Sequence, residues 1–278
     1  MNNPKENHIR IQFINIKLRP KESQLPERYI ELLDFIFQRK ISVNTYSDKY
    51  TRIQSFYGKG TEIAHGELVN FTVLNPELPA YDTQNNELCM IAYDTKIGPN
   101  AKTCAYYFVP EFHKFIVLTN SKISINQIIK FLENSLNEVL NVDEEVDITV
   151  EKSSESIERI INSEAQYLKV SLSYSNNDNN DDWAAALDGE YRDNGVKKIE
   201  AIYKADKNNL FDISKTRSIK GNVILSQSNG YAEANIMEEN KIVHINTNDH
   251  PRVEKITFIN DITRSILEKV KEIFNAPI

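Results

Sequence analysis

Residues 8–18 read HIRIQFINIKL, and their alternation sets the fold class. Ile9, Ile11 and Phe13 fall on one face of an extended chain, after which Ile14, Ile16 and Leu18 take over the other. A period of two with a change of face predicts a long strand carrying a bulge or a twist. Working outward, Pro26 opens a helix with Tyr29, Leu32, Leu33 and Ile36 at helical spacing. Strand-like segments follow at residues 42–57 and 63–74, then a loop over 75–86, and strands at 88–93 and 104–109. Pro110-Glu111 turns the chain into 112–118, which predicts a hairpin rich in Tyr and Phe. Ser124 with Gln127 three residues on is a capping box. Behind it Ile125, Ile128, Ile129, Leu132, Leu136, Val139 and Leu140 form one helical stripe.

The acidic link Asp143-Glu144-Glu145 marks the expected domain boundary, dividing the chain into residues 1–142 and 143–278. The second part predicts strands at 146–150, 167–174 and 199–205, and helices at 156–162, near 183–193 and near 213–228. Gly195 reads as a helix C-terminal cap. A hairpin over 231–237 and 241–246, a strand at 256–259 and an amphipathic helix at 262–274 complete it. The class is therefore α+β, two mixed halves of mainly antiparallel sheet with packed helices.

A length of 278 residues suits one large or two ordinary domains. Eight glycines are too few for propellers or glycine-rich phosphate loops, and no internal repeat is evident. Cys89 and Cys104 sit in apolar runs and read as unpaired core thiols of a cytoplasmic protein. No apolar run approaches the ~18–20 residues of a membrane span, and no leader follows Met1.

Catalytic and metal motifs are incomplete. Asp178, Asn180 and Asp182 alternate as in a calcium loop, but Trp183 stands at the sixth position and Gly189 at the twelfth. The five histidines form no helical pair and no zinc spacing with cysteine, although His244 and His250 flank Asp249. His113 with Glu111 could serve acid–base chemistry beside a turn. Asp94 with Lys96 and Glu239 with Lys241 have acidic-x-Lys spacing, but Glu239 falls in a turn. Gly58-Lys59-Gly60-Thr61 reads as a hairpin turn. No catalytic residue, metal ligand or cofactor is assigned from this reading.

The strongest local signal is charge. Residues 197–221 carry Lys197, Lys198, Lys204, Lys207, Lys215, Arg217 and Lys220 against Glu200, Asp206 and Asp212, seven minus three, or +4, in a chain of −7. A positive zone in an acidic protein points to an anionic partner, DNA before RNA. Lys198 and Lys204 alternate with Glu200 and Asp206, however, which is also how a self-neutralised solvated strand reads. A second basic zone in the first fifty-eight residues includes Arg10, Lys17, Arg19, Arg39, Lys40 and Arg52, interleaved with Tyr46, Tyr50, Phe56 and Tyr57.

Four segments carry a resemblance: Tyr107-Phe-Val-Pro-Glu-Phe-His113, the capped helix from Ser124, Lys204-Ala-Asp-Lys207, and Ser228-Asn-Gly-Tyr-Ala-Glu-Ala234. Together they resemble a family of uncharacterised bacterial proteins carried near mobile elements and antiphage genes. In length and layout the chain is also similar to the phage-exclusion protein RexA and the Kiwa component KwaB. The resemblance implies a cytoplasmic, DNA-associating defence or exclusion protein, and it assigns no residue a role. The reading is a non-enzymatic nucleic-acid binder that contacts phosphates through the 197–220 cations, as a homodimer or with a protein partner from the same locus. Two other classes stay open. One is a divergent metal-dependent nuclease; the other is a protein-binding inhibitor using the acidic stretch 151–195, where ten acids face four bases.

Overall fold

The computed structural model describes residues 6–92, 94, 96–173, 182–207 and 209–274. Strand β1 (Asn7–Arg19) is followed by helix α1 (Pro26–Gln38). Strands β2 (Val43–Tyr46), β3 (Lys49–Tyr57) and β4 (Ala64–Thr72) form a meander. The short pair β5 (Ala80–Asp82) and β6 (Glu87–Cys89) stands apart as its own hairpin. Then come β7 (Lys102–Val109), β8 (Lys114–Leu118), α2 (Ile125–Val139) and β9 (Glu145–Val150). The chain continues through α3 (Ser154–Ile161), β10 (Glu164–Ser173), α4 (Asp182–Asp193), β11 (Lys198–Lys204) and β12 (Phe211–Asp212). It closes with α5 (Arg217–Asn229), β13 (Gly230–Glu238), β14 (Lys241–Asn246), β15 (Val253–Phe258) and α6 (Ile262–Phe274). The fold is α+β, and every strand pairing is antiparallel among the described residues.

The larger sheet runs β15-β1-β8-β7-β4-β3-β2, with β9 also paired to β1. β1 keeps an unbroken register along its length, so no bulge accounts for its change of face. Its outer neighbour changes instead, from β15 along residues 7–12 to β9 along 14–19. The cover changes with it. Ile11 and Phe13 pack with Ile266 and Val270 of α6, whereas Ile14, Ile16 and Leu18 pack on the other face with Tyr29, Leu33, Phe131 and Leu132 of α1 and α2. Both faces of the strand are therefore core at different points along it.

The capping box on α2 is present, with Ser124 accepting from the Gln127 amide and the Gln127 side chain reaching back to the Ser124 amide. Phe131, Leu132 and Leu136 are buried beneath it. Leu132→Ala is expected to cost about 2–5 kcal/mol, read as a lowered urea midpoint. An unchanged midpoint would show that the stripe does not carry the core.

The second sheet runs β11-β10-β13-β14, with β12 adding to β10. Its inner face, with Leu168, Val170, Leu172, Ala232, Ala234 and Ile236, packs under α3, α4 and α5. The sheets do not divide the chain between residues 142 and 143. β9 and β15 both return to β1, so the second sheet is an excursion from the first. The acidic link is a turn into β9 whose Glu144 carboxylate is tied to Arg28 of α1, and the edge of β1 away from β8 recruits strands from far along the chain.

Three local expectations differ. The helix expected near 213–228 begins as a single 3-10 turn over Ile213–Lys215 before α5 starts at Arg217. The apolar run expected as a core strand from residue 88 is not one: Leu88 is 69% exposed and Met90 64%, because among the described residues no helix or second sheet covers that hairpin. Cys89 is accordingly half-buried while Cys104 is buried, and both are free thiols. The segment 42–57 is two strands, split at Ser47, whose φ is 49°. No helix among the described residues is long and apolar enough to cross a membrane.

Candidate functional site

The structure distributes the seven cations of 197–220 over several surfaces. Lys198 and Lys204 project from the face of β11 turned away from the helices, with Glu200 and Ile202 between them. At a rise of roughly 3.3 Å per residue they stand about 20 Å apart. Lys197 reaches the first sheet and pairs with Glu145. Lys198 pairs with Glu200, and Lys215 with Asp212. Lys207 is exposed in the turn after β11. Lys215, Arg217 and Lys220 lie around the start of α5, on the helix side of the sheet. That helix begins with no acidic residue in its first turn and no side-chain cap from Thr216.

Among the described residues no helix of the second sheet's core packs on its outer face, and the first turn of α2 comes near it only at Tyr231. Reading across it, β10 presents Tyr167, Lys169 and Ser171, β11 presents Lys198, Glu200, Ile202 and Lys204, and β13 presents Tyr231, Glu233 and Asn235. Ile202 is 56% exposed. The Lys169 ammonium lies 5.7 Å from the centre of the Tyr231 ring. His244 joins this face through a 2.9 Å hydrogen bond between its Nδ1 and Asn235 Oδ1.

One end of this face docks on the first sheet, and there the fold buries charge. Asn15 and Lys17 continue the β1 face that α6 covers as far as Phe13, yet they are 0% and 1% exposed. Their cover is the end of α5. Asn15 Nδ2 donates to the Ser228 carbonyl at 2.9 Å and Lys17 Nζ donates to Asn229 Oδ1 at 2.8 Å. Lys114, opposite Asn15 on β8, donates to Asn15 Oδ1 at 2.5 Å and to Glu151 Oε2 at 3.3 Å. Glu151 Oε2 also accepts from Asn15 Nδ2 at 2.9 Å, and its Oε1 accepts from Ser228 Oγ at 2.8 Å. Thr149 Oγ1 donates to the Ser228 carbonyl at 2.7 Å. Phe274 closes the end of the seam, its ring centre 4.3 Å from Lys114 Nζ. Farther along, Ser173 Oγ donates to Asp147 Oδ1 at 2.8 Å, and Asp147 is ion-paired with Arg19.

The turn into β13 explains how α5 can end so close to the sheet. A Cβ on Gly230 would lie 1.9 Å from the Ser171 carbonyl oxygen, so only glycine lets the backbones approach. Beside it the Asn229 amide nitrogen is buried without a hydrogen-bond acceptor among the described residues. Next to Glu151, Lys152 is 4% exposed. Its backbone N–H donates to the Gln227 carbonyl at 2.9 Å, and it bridges to Pro251. Burial pushes the Lys152 amine down to about 8, and the Glu151 charge only partly offsets this.

Of the other candidates, His113 is buried with its ring 5.2 Å from that of Tyr29, inside the first core, while Glu111 is exposed. The calcium-like positions Asp178 and Asn180 lie outside the described residues. Among the described residues no three His, Cys, Asp or Glu side chains gather as a metal site.

Lys17, which the sequence reads as a cation of the second basic zone, is instead buried, while Asn15, Lys114, Glu151, Lys152 and Ser228 were not singled out as a site by sequence reasoning. Their signal is faint: polar residues at positions where the apolar alternation requires core. Two of the segments that carry the resemblance do converge here, one ending at His113 beside Lys114 and the other starting at Ser228. No curated protein matches the chain. A family model described as domain of unknown function (DUF4747) matches residues 7–275, which takes in both sheets and the seam between them. The chain belongs to the DUF4747 family.

Proposed function

We propose that the chain is a non-enzymatic nucleic-acid-binding protein of bacterial antiphage defence or phage exclusion, cytoplasmic, and that it binds through the open face of the second sheet. The observation that carries this reading is a sheet face turned away from α3, α4 and α5 that presents Lys169, Lys198 and Lys204 beside Tyr167 and Tyr231. Aromatic rings on a sheet stack on unpaired bases, and lysines between them contact phosphates. The Lys198–Glu200 pair does not oppose this, because both side chains are more than half exposed and such pairs are weak enough for a phosphate to displace. The defence role rests on the resemblance of the four segments named above, and a homodimer or a partner from the same locus belongs to the same reading.

Fluorescence anisotropy with single-stranded DNA, RNA and duplex DNA across a salt series tests it. Affinity is expected to fall steeply with salt, and the double variant Lys169→Glu, Lys204→Glu to weaken binding by about ten-fold or more, roughly 1.4 kcal/mol. The pair Arg217→Glu, Lys220→Glu, on the helix side, is expected to matter less. The absence of binding to all three at low salt would overturn the reading. A larger loss from the helix-side pair would move the contact surface off the sheet.

A further inference from the structure

Beside the seam lies a half-open cavity of about 310 Å³, between the first turns of α2, the edge strand β9 and the start of β13. Ile125, Ile129 and Ile148 make an apolar wall. Asn126, Thr149 and Tyr231 supply polar groups, and among the described residues Lys152 is the one charged residue lining it. Among the described residues the Lys152 side chain makes no hydrogen bond and no ion pair. Its neighbour Glu151 is committed to Asn15, Lys114 and Ser228.

At 4% exposure Lys152 keeps little hydration, and an anion in the cavity would offset that cost beyond what the Glu151 charge supplies. Two further features favour the anion. The first turn of α2 lines the same cavity through Ile125 and Asn126 and contains no acidic residue, so the positive end of its dipole lies beside the cavity although the Ser124 and Gln127 amides are engaged in the capping box. Among the described residues the lining includes no carboxylate. The Lys152 backbone is held by Gln227 and Pro251, so the amine is placed before any ligand arrives.

We propose that this cavity is a binding site for a small organic anion, with a flat apolar body against Ile125, Ile129 and Ile148 and a single carboxylate or phosphate on Lys152 and the α2 amino end. The volume lies at the lower end of small-molecule pockets, which suits one ring system and its charged group. The site is distinct from the lysines of the open sheet face, and only Tyr231 borders both.

Isothermal titration calorimetry of the full chain with benzoate, phenyl phosphate and adenosine monophosphate, and with neutral benzyl alcohol, tests the proposal. At least one anion is expected to bind saturably, and benzyl alcohol about ten-fold more weakly or worse. Comparing benzoate with the two phosphates identifies the charged group. Lys152→Met is expected to lower affinity for the bound anion by about ten-fold or more. Ile129→Trp, placed on the helix surface where it fills the cavity, is expected to abolish binding and serves if the lysine variant does not fold. The proposal fails if none of the three anions binds at millimolar concentration. It fails equally if Lys152→Met or Ile129→Trp, once folded, binds as the wild type does.

Discussion

Glu151→Ala is expected to destabilise the fold by about 3–5 kcal/mol. Its carboxylate accepts from Asn15, Ser228 and Lys114 in a seam where the Lys114 and Glu151 side chains are 0% and 2% exposed. Removing it takes the carboxylate from beside the buried Lys114 ammonium, which keeps its bond to Asn15 Oδ1, and removes one acceptor each from Asn15 Nδ2 and Ser228 Oγ, at a desolvation cost. Because the three donors come from β1, β8 and the end of α5, the loss should loosen the docking of the second sheet rather than melt a single element. Urea unfolding followed by circular dichroism measures the change. The double variant Lys114→Met, Glu151→Met should recover much of the loss, since replacing a buried pair with apolar groups is often nearly neutral. A loss below about 1 kcal/mol for Glu151→Ala would mean that water enters the seam.

Lys152→Met is expected to do the opposite and stabilise the free protein at neutral pH. Burial lowers the amine from its ordinary 10.5 to about 8, so the folded chain holds this proton less tightly than the unfolded chain does. Below pH 8 both states are protonated and the folded state bears the whole cost of the buried charge. Between about 8 and 10.5 the folded amine is already neutral while the unfolded one still binds its proton, so stability rises with pH through that window. The gap corresponds to about 3 kcal/mol. Unfolding midpoints of wild type and Lys152→Met should therefore differ most at pH 7 and converge above about 10.5. A variant less stable than wild type at pH 7 would show that the amine has a stabilising partner in the folded chain.

The sequence by itself determined the elements whose cause is local. The Ser124–Gln127 capping box and the Ile128–Leu132–Leu136 stripe specify α2, because cap and period both act within a few residues. The period of two in residues 8–18, the hairpin turn at Gly58-Lys59-Gly60 and the helical spacing after Pro26 likewise appear where their patterns place them. The α+β class follows from these. What covers a given face was not legible. Asn15 and Lys17 are polar on the face that carries Ile9, Ile11 and Phe13, and the arrival of α5 from more than two hundred residues away buries them. Leu88 and Met90 read as core and are exposed, because nothing comes to cover them. The seven cations that are close in the chain part onto several surfaces, Lys198 and Lys204 on one side of the second sheet and Lys215, Arg217 and Lys220 on the other, since alternation and a sheet-to-helix crossover send near neighbours in opposite directions. Strand and helix formation respond to short-range sterics and hydrogen bonding, which a sequence displays directly. Burial, ion pairing and the cavity beside Lys152 depend on which distant surfaces meet, and only the tertiary structure decides that.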